Sequence, residues 1–193
     1  MAGVVEREIA EVSDNLELIK KRLDADRAAI EEACSLISVT LDRGGKLLVA
    51  GNGGSAADAQ HFAAELVGRY GRERKGLPAV AITTDTSALT AIGNDFGFDV
   101  VFERQLEALG REGDVLIAIS TSGNSPNVVA ALVKAREMGI GRVLLAGGGG
   151  GKAALLADVS IVFPAAQTPR IQEYHSVVLH IIAAYADAME RGK

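Results

Sequence analysis

His61 and Glu65 lie four residues apart in the stretch LLVAGNGGSAADAQHFAAEL, residues 47–66. On a helix that spacing stacks both side chains on one face. An imidazole beside a carboxylate can move protons as an acid/base pair or hold a divalent metal. The same pair can also do no more than stabilise its helix. Gln172, His175 and His180 stand near the C-terminus. On a helix His175 falls about 60° from Gln172 on one side and His180 about 80° on the other. Spacing alone therefore does not choose between the two histidines.

Two loops compete for an anion. Ser120-Thr121-Ser122-Gly123-Asn124-Ser125 is followed by Pro126. Ser125 suits an N-cap and Pro126 a first helical position. Four hydroxyls and free backbone N–H groups would then face one point before a helix N-terminus, where the dipole favours a phosphate. The loop contains no lysine, which rules out a Walker-type loop for a nucleoside triphosphate. The other loop, Gly51-Asn52-Gly53-Gly54-Ser55, permits tight turning, and Ser55 with Asp58 reads as a capping box. It lacks the third glycine of G-x-G-x-x-G, which disfavours a dinucleotide site.

These loops need a scaffold, and the hydrophobic pattern supplies one. Apolar runs at 47–50, 79–82, 115–119, 142–146 and 159–163 alternate with helical patterns at 55–69, 99–110, 126–138, 152–157 and 169–190. Near-continuous apolar strands suit a parallel sheet covered on both faces. The expected fold is a three-layer α/β/α sandwich with a five-stranded parallel sheet and right-handed crossovers. Ligands of such folds sit beyond the carboxyl ends of the strands. Gly93 to Phe98 (GNDFGF) reads as a polar turn. The glycine run 147–151 reads as a mobile connection rather than a close backbone approach.

Two amphipathic helices precede the sheet. Val5, Ile9, Val12, Leu16, Ile19 and Leu23 make a heptad seam, which either covers the core or packs against another subunit. Ile30, Ala33, Ile37 and Leu41 share one face of the second helix, which ends near Gly44-Gly45. The expectation is one domain over 1–193, with 1–45 as an N-terminal helical oligomerisation segment and 46–193 as the α/β body.

With 193 residues, 48% of them hydrophobic and 23% charged, the chain can bury a substantial core. A net charge of -5 and 4% aromatic content argue against nucleic-acid binding by bulk charge or base stacking. The exception is a local basic cluster, Arg69, Arg72, Arg74 and Lys75, and such a cluster is usually a solvated helix end or loop rather than a binding patch. Cys34 is the only cysteine, so no intrachain disulfide is available. The N-terminus shows no signal-peptide pattern and no run reaches the ~18 apolar residues of a membrane span. The expected location is the cytoplasm.

Five segments together resemble one family. GNGGS, HFAAEL, GNDFGF, REGDVLIAISTSGNS (111–125) and RIQEYH (170–175) look like the phosphoheptose isomerase branch of the sugar-isomerase (SIS) superfamily. The resemblance runs in order over nearly the whole chain. It implies the flavodoxin-like strand order of SIS domains. It also implies isomerisation of sedoheptulose 7-phosphate to glycero-manno-heptose 7-phosphate for bacterial heptose biosynthesis. Glu65 and His180 align with the pair assigned as base and acid, which leaves His175 as a packing histidine. His61, Glu65, Gln172 and His180 align with a zinc site. Asn52, Gly53, Gly54, Ser55, Glu65, Asn94, Asp95, Ser120, Thr121, Ser122, Ser125 and Gln172 align with substrate contacts. The family's homotetramer implies active sites near subunit interfaces. Whether Glu65 serves as base or as metal ligand stays open.

The same branch includes a tetrameric, non-catalytic protein that binds the bacterial replication initiator. AADAQHFAA and LTAI (89–92) are shared with it. Glu65, His180 and GNDFGF favour the enzyme. A sugar-phosphate-sensing regulator is a third reading, disfavoured because no DNA-binding module is recognisable in the sequence.

Overall fold

Each of the five apolar runs becomes a strand, and all five join one parallel sheet. The computed structural model describes residues 2–189. The strands are β1 (Leu47–Gly51), β2 (Ala79–Ala81), β3 (Val115–Ser120), β4 (Gly141–Gly147) and β5 (Val159–Phe163), in the order β2-β1-β3-β4-β5. Leu47 pairs with Ala79 on one side and Val115 on the other. Side chains alternate across the sheet. Leu47 and Val49 therefore enter one core cluster, while Leu48 and Ala50 enter the other. Burying both faces is what demands the continuous apolar runs.

One face is covered by α1 (Ala2–Ala25), α2 (Arg27–Asp42), α3 (Gly54–Val67) and α7 (Thr168–Met189). The other carries α4 (Thr86–Phe96), α5 (Val101–Leu109) and α6 (Pro126–Glu137). Ile30, Ala33, Cys34 and Ile37 of α2 are buried against the sheet, so α2 is part of the helical layer. Burial pushes the Cys34 thiol up to about 11, as expected of a small packed hydrophobe. The Tyr174 hydroxyl donates to Asp26 at 2.7 Å, and its ring stacks on Phe163 with centroids 4.4 Å apart. This ties α7 both to the N-terminal helices and to β5.

The seam of α1 divides. Ile19 is buried, whereas Val5, Ile9 and Leu16 are exposed. Core cover therefore accounts for its C-terminal end only.

Two local expectations are corrected. Residues 86–96 form a helix, with Asp85 Oδ1 accepting from the Ala88 N–H at 2.9 Å. Asn94 and Asp95 thus occupy its last turn rather than a loop turn. Thr, Ser, Gly and Asn give this stretch poor helix propensity, a weak prior that the cap and packing of Leu89 and Ile92 override. The helix expected at 152–157 shrinks to the 3-10 turn Ala153–Leu155. No helix among the described residues is long and apolar enough to cross a membrane.

Candidate active site

The chain leaves β1 for β2 on one flank, while β3 lies on the other. The carboxyl ends of β1 and β3 therefore flank the switch in strand order, where α/β folds bind ligands. Residues 51–55 follow β1 and residues 120–125 follow β3. A reciprocal amide pair latches them together. Asn52 Nδ2 donates to Asn127 Oδ1 at 2.8 Å, and Asn127 Nδ2 donates to Asn52 Oδ1 at 2.9 Å. Asn127 is buried, next to Pro126 at the start of α6. Sequence reasoning missed it. The available signal was an amide side chain in the first turn of a helix whose apolar face begins one residue later.

The hydroxyl loop keeps the expected backbone but not the expected bonds. Ser125 is extended at φ -60° and ψ 118°, and Pro126 opens α6. The Ser125 hydroxyl does not cap the helix; it bonds to the Ser120 hydroxyl at 3.1 Å. Ser122 Oγ accepts from the Asn124 N–H at 3.1 Å. The helix N-terminus is thereby left without a side-chain cap. Pro126 has no N–H and the Val128 and Val129 N–H groups donate to Ser125 O, so it is chiefly the positive end of the dipole that α6 offers there.

The glycine run is not a loose connection. A side chain at Gly123, whose φ is +62°, would collide with the Gly150 carbonyl, and one at Gly151 would strike Gly123 and Asn124. The Gly147 N–H donates to Thr121 O at 3.1 Å, the Ala153 N–H to Gly123 O at 2.9 Å and the Lys152 N–H to Asn124 Oδ1 at 3.1 Å. Residues 147–153 are a wall against which the hydroxyl loop is moulded. The correction follows from close approach, which only glycine permits on both sides.

The capping box at α3 is corrected too. Gly53, not Ser55, is the N-cap, and Ser55 is buried inside the first turn. The Asp58 carboxylate instead accepts from Ser176 Oγ on α7 at 3.0 Å. Burial pushes the Asp58 carboxyl above the usual range, against the lowering effects of Ser176 and nearby His61.

α3 and α7 meet at one-turn intervals. Gln172 rests on Gly54, where any Cβ would collide with its amide. Asp58 meets Ser176 one turn on, and His61 meets His180 after that. The matched order shows two parallel helices side by side. His61 Nε2 and His180 Nε2 are 2.9 Å apart, and His61 Nε2 is 3.5 Å from Glu65 Oε1. Ligand atoms of His61, Glu65 and His180 all fall within 4.8 Å of one another. The Tyr70 ring, unremarked in the sequence, lies 5.8 Å from that of His180. The structure thus brings three of the four aligned zinc ligands together. Gln172 stands about 12 Å from His180 along the helix axis, at ~1.5 Å per residue. Asn94 donates to Asp95 at 2.7 Å, and both are exposed.

Comparison with known proteins identifies the family. The family model for the SIS domain matches residues 11–154. The chain is similar to the phosphoheptose isomerase of Aliarcobacter butzleri, 54% identical over 179 residues, covering 93% of this chain and 95% of the relative. Among solved structures it resembles phosphoheptose isomerase from Neisseria gonorrhoeae, with TM-score 0.90, 45% identity and coverage of 96% and 99%. A phosphoheptose isomerase from Francisella tularensis superposes with TM-score 0.92 at 33% identity, covering 96% and 98%.

His175 lies outside the cluster, fully buried on the sheet-facing side of α7. Its Nε2–H donates to the Ala146 carbonyl at 3.1 Å, and its Nδ1 has no partner among the described residues. Burial pushes it down to about 4, with the hydrogen bond to Ala146 opposing. A histidine held neutral by folding contributes stability that is complete above its unfolded value near 6.5. That stability is lost as pH falls from there towards 4, by up to roughly 3 kcal/mol. His175→Gln keeps a donor for Ala146 but does not titrate. Its urea-unfolding stability is expected to fall less steeply than wild type between pH 6.5 and 4; equal slopes would show that His175 is not the group responsible.

Proposed function

The chain belongs to the SIS domain family and, within it, to the phosphoheptose isomerases, and from that membership we propose how it works. It interconverts D-sedoheptulose 7-phosphate and D-glycero-D-manno-heptose 7-phosphate, a ketose and an aldose, through an enediol. The observations that carry this reading are the convergence of Glu65 and His180 where α3 and α7 face each other and, at the other end of α3, the two latched loops at the strand-order switch.

The amides and hydroxyls of Ser120, Thr121, Ser122 and Ser125 bind the phosphate at the N-terminus of α6. Asn52, Gly53, Gly54 and Ser55 border the sugar, with Gln172 donating from α7. The Glu65 carboxylate removes the proton from C1 of the ketose and returns it to C2. His180 passes a proton between O1 and O2, so that the carbonyl moves from C2 to C1. Each transfer by a positioned side chain contributes about 10²–10⁴-fold. Glu65→Gln and His180→Gln are expected to lower kcat for sedoheptulose 7-phosphate by about that factor while leaving the circular dichroism unchanged. Near-normal turnover in Glu65→Gln removes Glu65 as the base, and equal loss in His175→Gln reassigns the acid.

His61, Glu65 and His180 also suit zinc. Two imidazole nitrogens and one carboxylate form a ligand set that leaves a fourth position open. When bound, zinc would supply Lewis-acid polarisation of the substrate carbonyl. Gln172, packed on Gly54 about 12 Å along α7 from His180, does not reach this set within the chain and keeps only its proposed substrate contact. Glu65 is ligand or base according to metal occupancy. Elemental analysis of zinc-equilibrated protein is expected to find about one zinc per chain, reduced in His61→Ala. Metal-free wild type after that treatment sinks the assignment.

We also propose a homotetramer with sites near its interfaces. Val5, Ile9 and Leu16 are exposed along α1, Phe96 and Phe98 are exposed at the end of α4, and α4 has no buried residue. Light scattering of a chain lacking residues 1–16 is expected to show a smaller assembly than full-length protein; an unchanged mass would free α1 of that role.

A further inference from the structure

Arg74 belongs to the basic cluster that the sequence leaves as a solvated patch. Its side chain is only 4% exposed. The guanidinium donates Nε to Asp187 Oδ1 at 2.7 Å, Nη1 to Leu66 O at 2.8 Å and to Lys75 O at 3.0 Å, and Nη2 to Glu65 O at 2.9 Å. Two of these acceptors are carbonyls of the last turn of α3, which have no partner within the helix. The fork therefore closes the helix end with hydrogen bonds and places a positive charge at its negative pole. Leu66 O also accepts from the Leu77 N–H at 2.9 Å, so the returning chain is fixed at the same point.

Asp187 lies on α7, two turns beyond His180. It is buried and receives Arg72 Nε on its second oxygen at 3.3 Å. A single guanidinium thus joins the backbone of Glu65 to the helix that carries His180. We infer that Arg74 is a positioning residue, which fixes the α3 turn bearing Glu65 against the α7 face bearing His180. The inference rests on the reading of Glu65 and His180 as the reacting pair. Lysine cannot replace it, because one ammonium lacks the planar fork that spans a carboxylate and two carbonyls.

The effect belongs on the chemical step, because the phosphate loops lie at the opposite end of α3. In full-length Arg74→Lys, kcat is expected to fall by about 10–100-fold, as for a misplacement of order 1 Å, while KM stays within about threefold of wild type. Asp187→Asn is expected to show the same split with a smaller loss. Guanidinium ion is expected to restore part of kcat in Arg74→Ala. Asp114→Asn is the stability control: its buried carboxylate binds Lys46 and Arg111 at the far end of the sheet. It should lower the melting temperature and leave kcat alone. Wild-type kcat in folded Arg74→Lys, or in Asp187→Asn should the lysine variant fail to fold, overturns the inference. So does loss of kcat in Asp114→Asn in proportion to its instability. If Glu65→Gln is active, the reading of the pair fails first; if it is inactive while Arg74→Lys is normal, the positioning role alone fails.

Discussion

The parallel packing of α3 against α7 is the constraint on which the site depends. Ala59, Phe62, Ala63 and Leu66 share one core with Val178, Leu179, Ile182 and Ala183. Close-packed interiors of this kind admit few alternative registers. A slide of either helix by one turn, ~5.4 Å, would separate His61 from His180, Asp58 from Ser176 and Gln172 from Gly54 together. Parallel direction is itself a consequence of the sheet. Both helices follow parallel strands and return along the same face, so their N-termini lie together near the strand carboxyl ends. The glycine at position 54 lets them approach closely there, and Gln172 occupies the space a side chain would need.

The other half of the site answers to a second contact, between backbone and backbone. Gly123 and the 147–151 run touch where neither tolerates a Cβ. That contact shapes the hydroxyl loop, while the Asn52–Asn127 pair fastens it to the glycine turn. Doubly hydrogen-bonded, with Asn127 buried and Asn52 half-buried, this pair also satisfies the polar groups it removes from water. The two loops are thereby tied to each other and to the starts of α6 and α3.

The layers were readable because both faces of the sheet are buried: every strand is an apolar run, and the glycine and hydroxyl loops mark strand ends. Glu65 and His61 were visible as an i, i+4 pair on α3. The choice of His180 over His175 was not visible in spacing. It depends on how α7 rolls on the sheet, which puts His175 under Ala146 and turns His180 towards His61. α4 escaped because its residues favour turns and only its cap and two half-buried side chains argue otherwise. The glycine run misled because composition reports freedom, whereas here it reports proximity. Arg74 read as surface because a charge cluster usually is one. Its burial follows from a carboxylate 113 residues away.

In the proposed mechanism, binding and proton transfer fall to different kinds of element, and the reaction explains why. A phosphate tolerates small displacements, since several amides and hydroxyls share its oxygens. Loops shaped by glycine contacts suffice for that. Proton transfer between adjacent carbons tolerates far less, because a group misplaced by about 1 Å can lose about 10²-fold in rate. Glu65 and His180 accordingly sit on helices rather than loops, on faces that share a buried core. Their separation is thus fixed by the same packing that stabilises the fold.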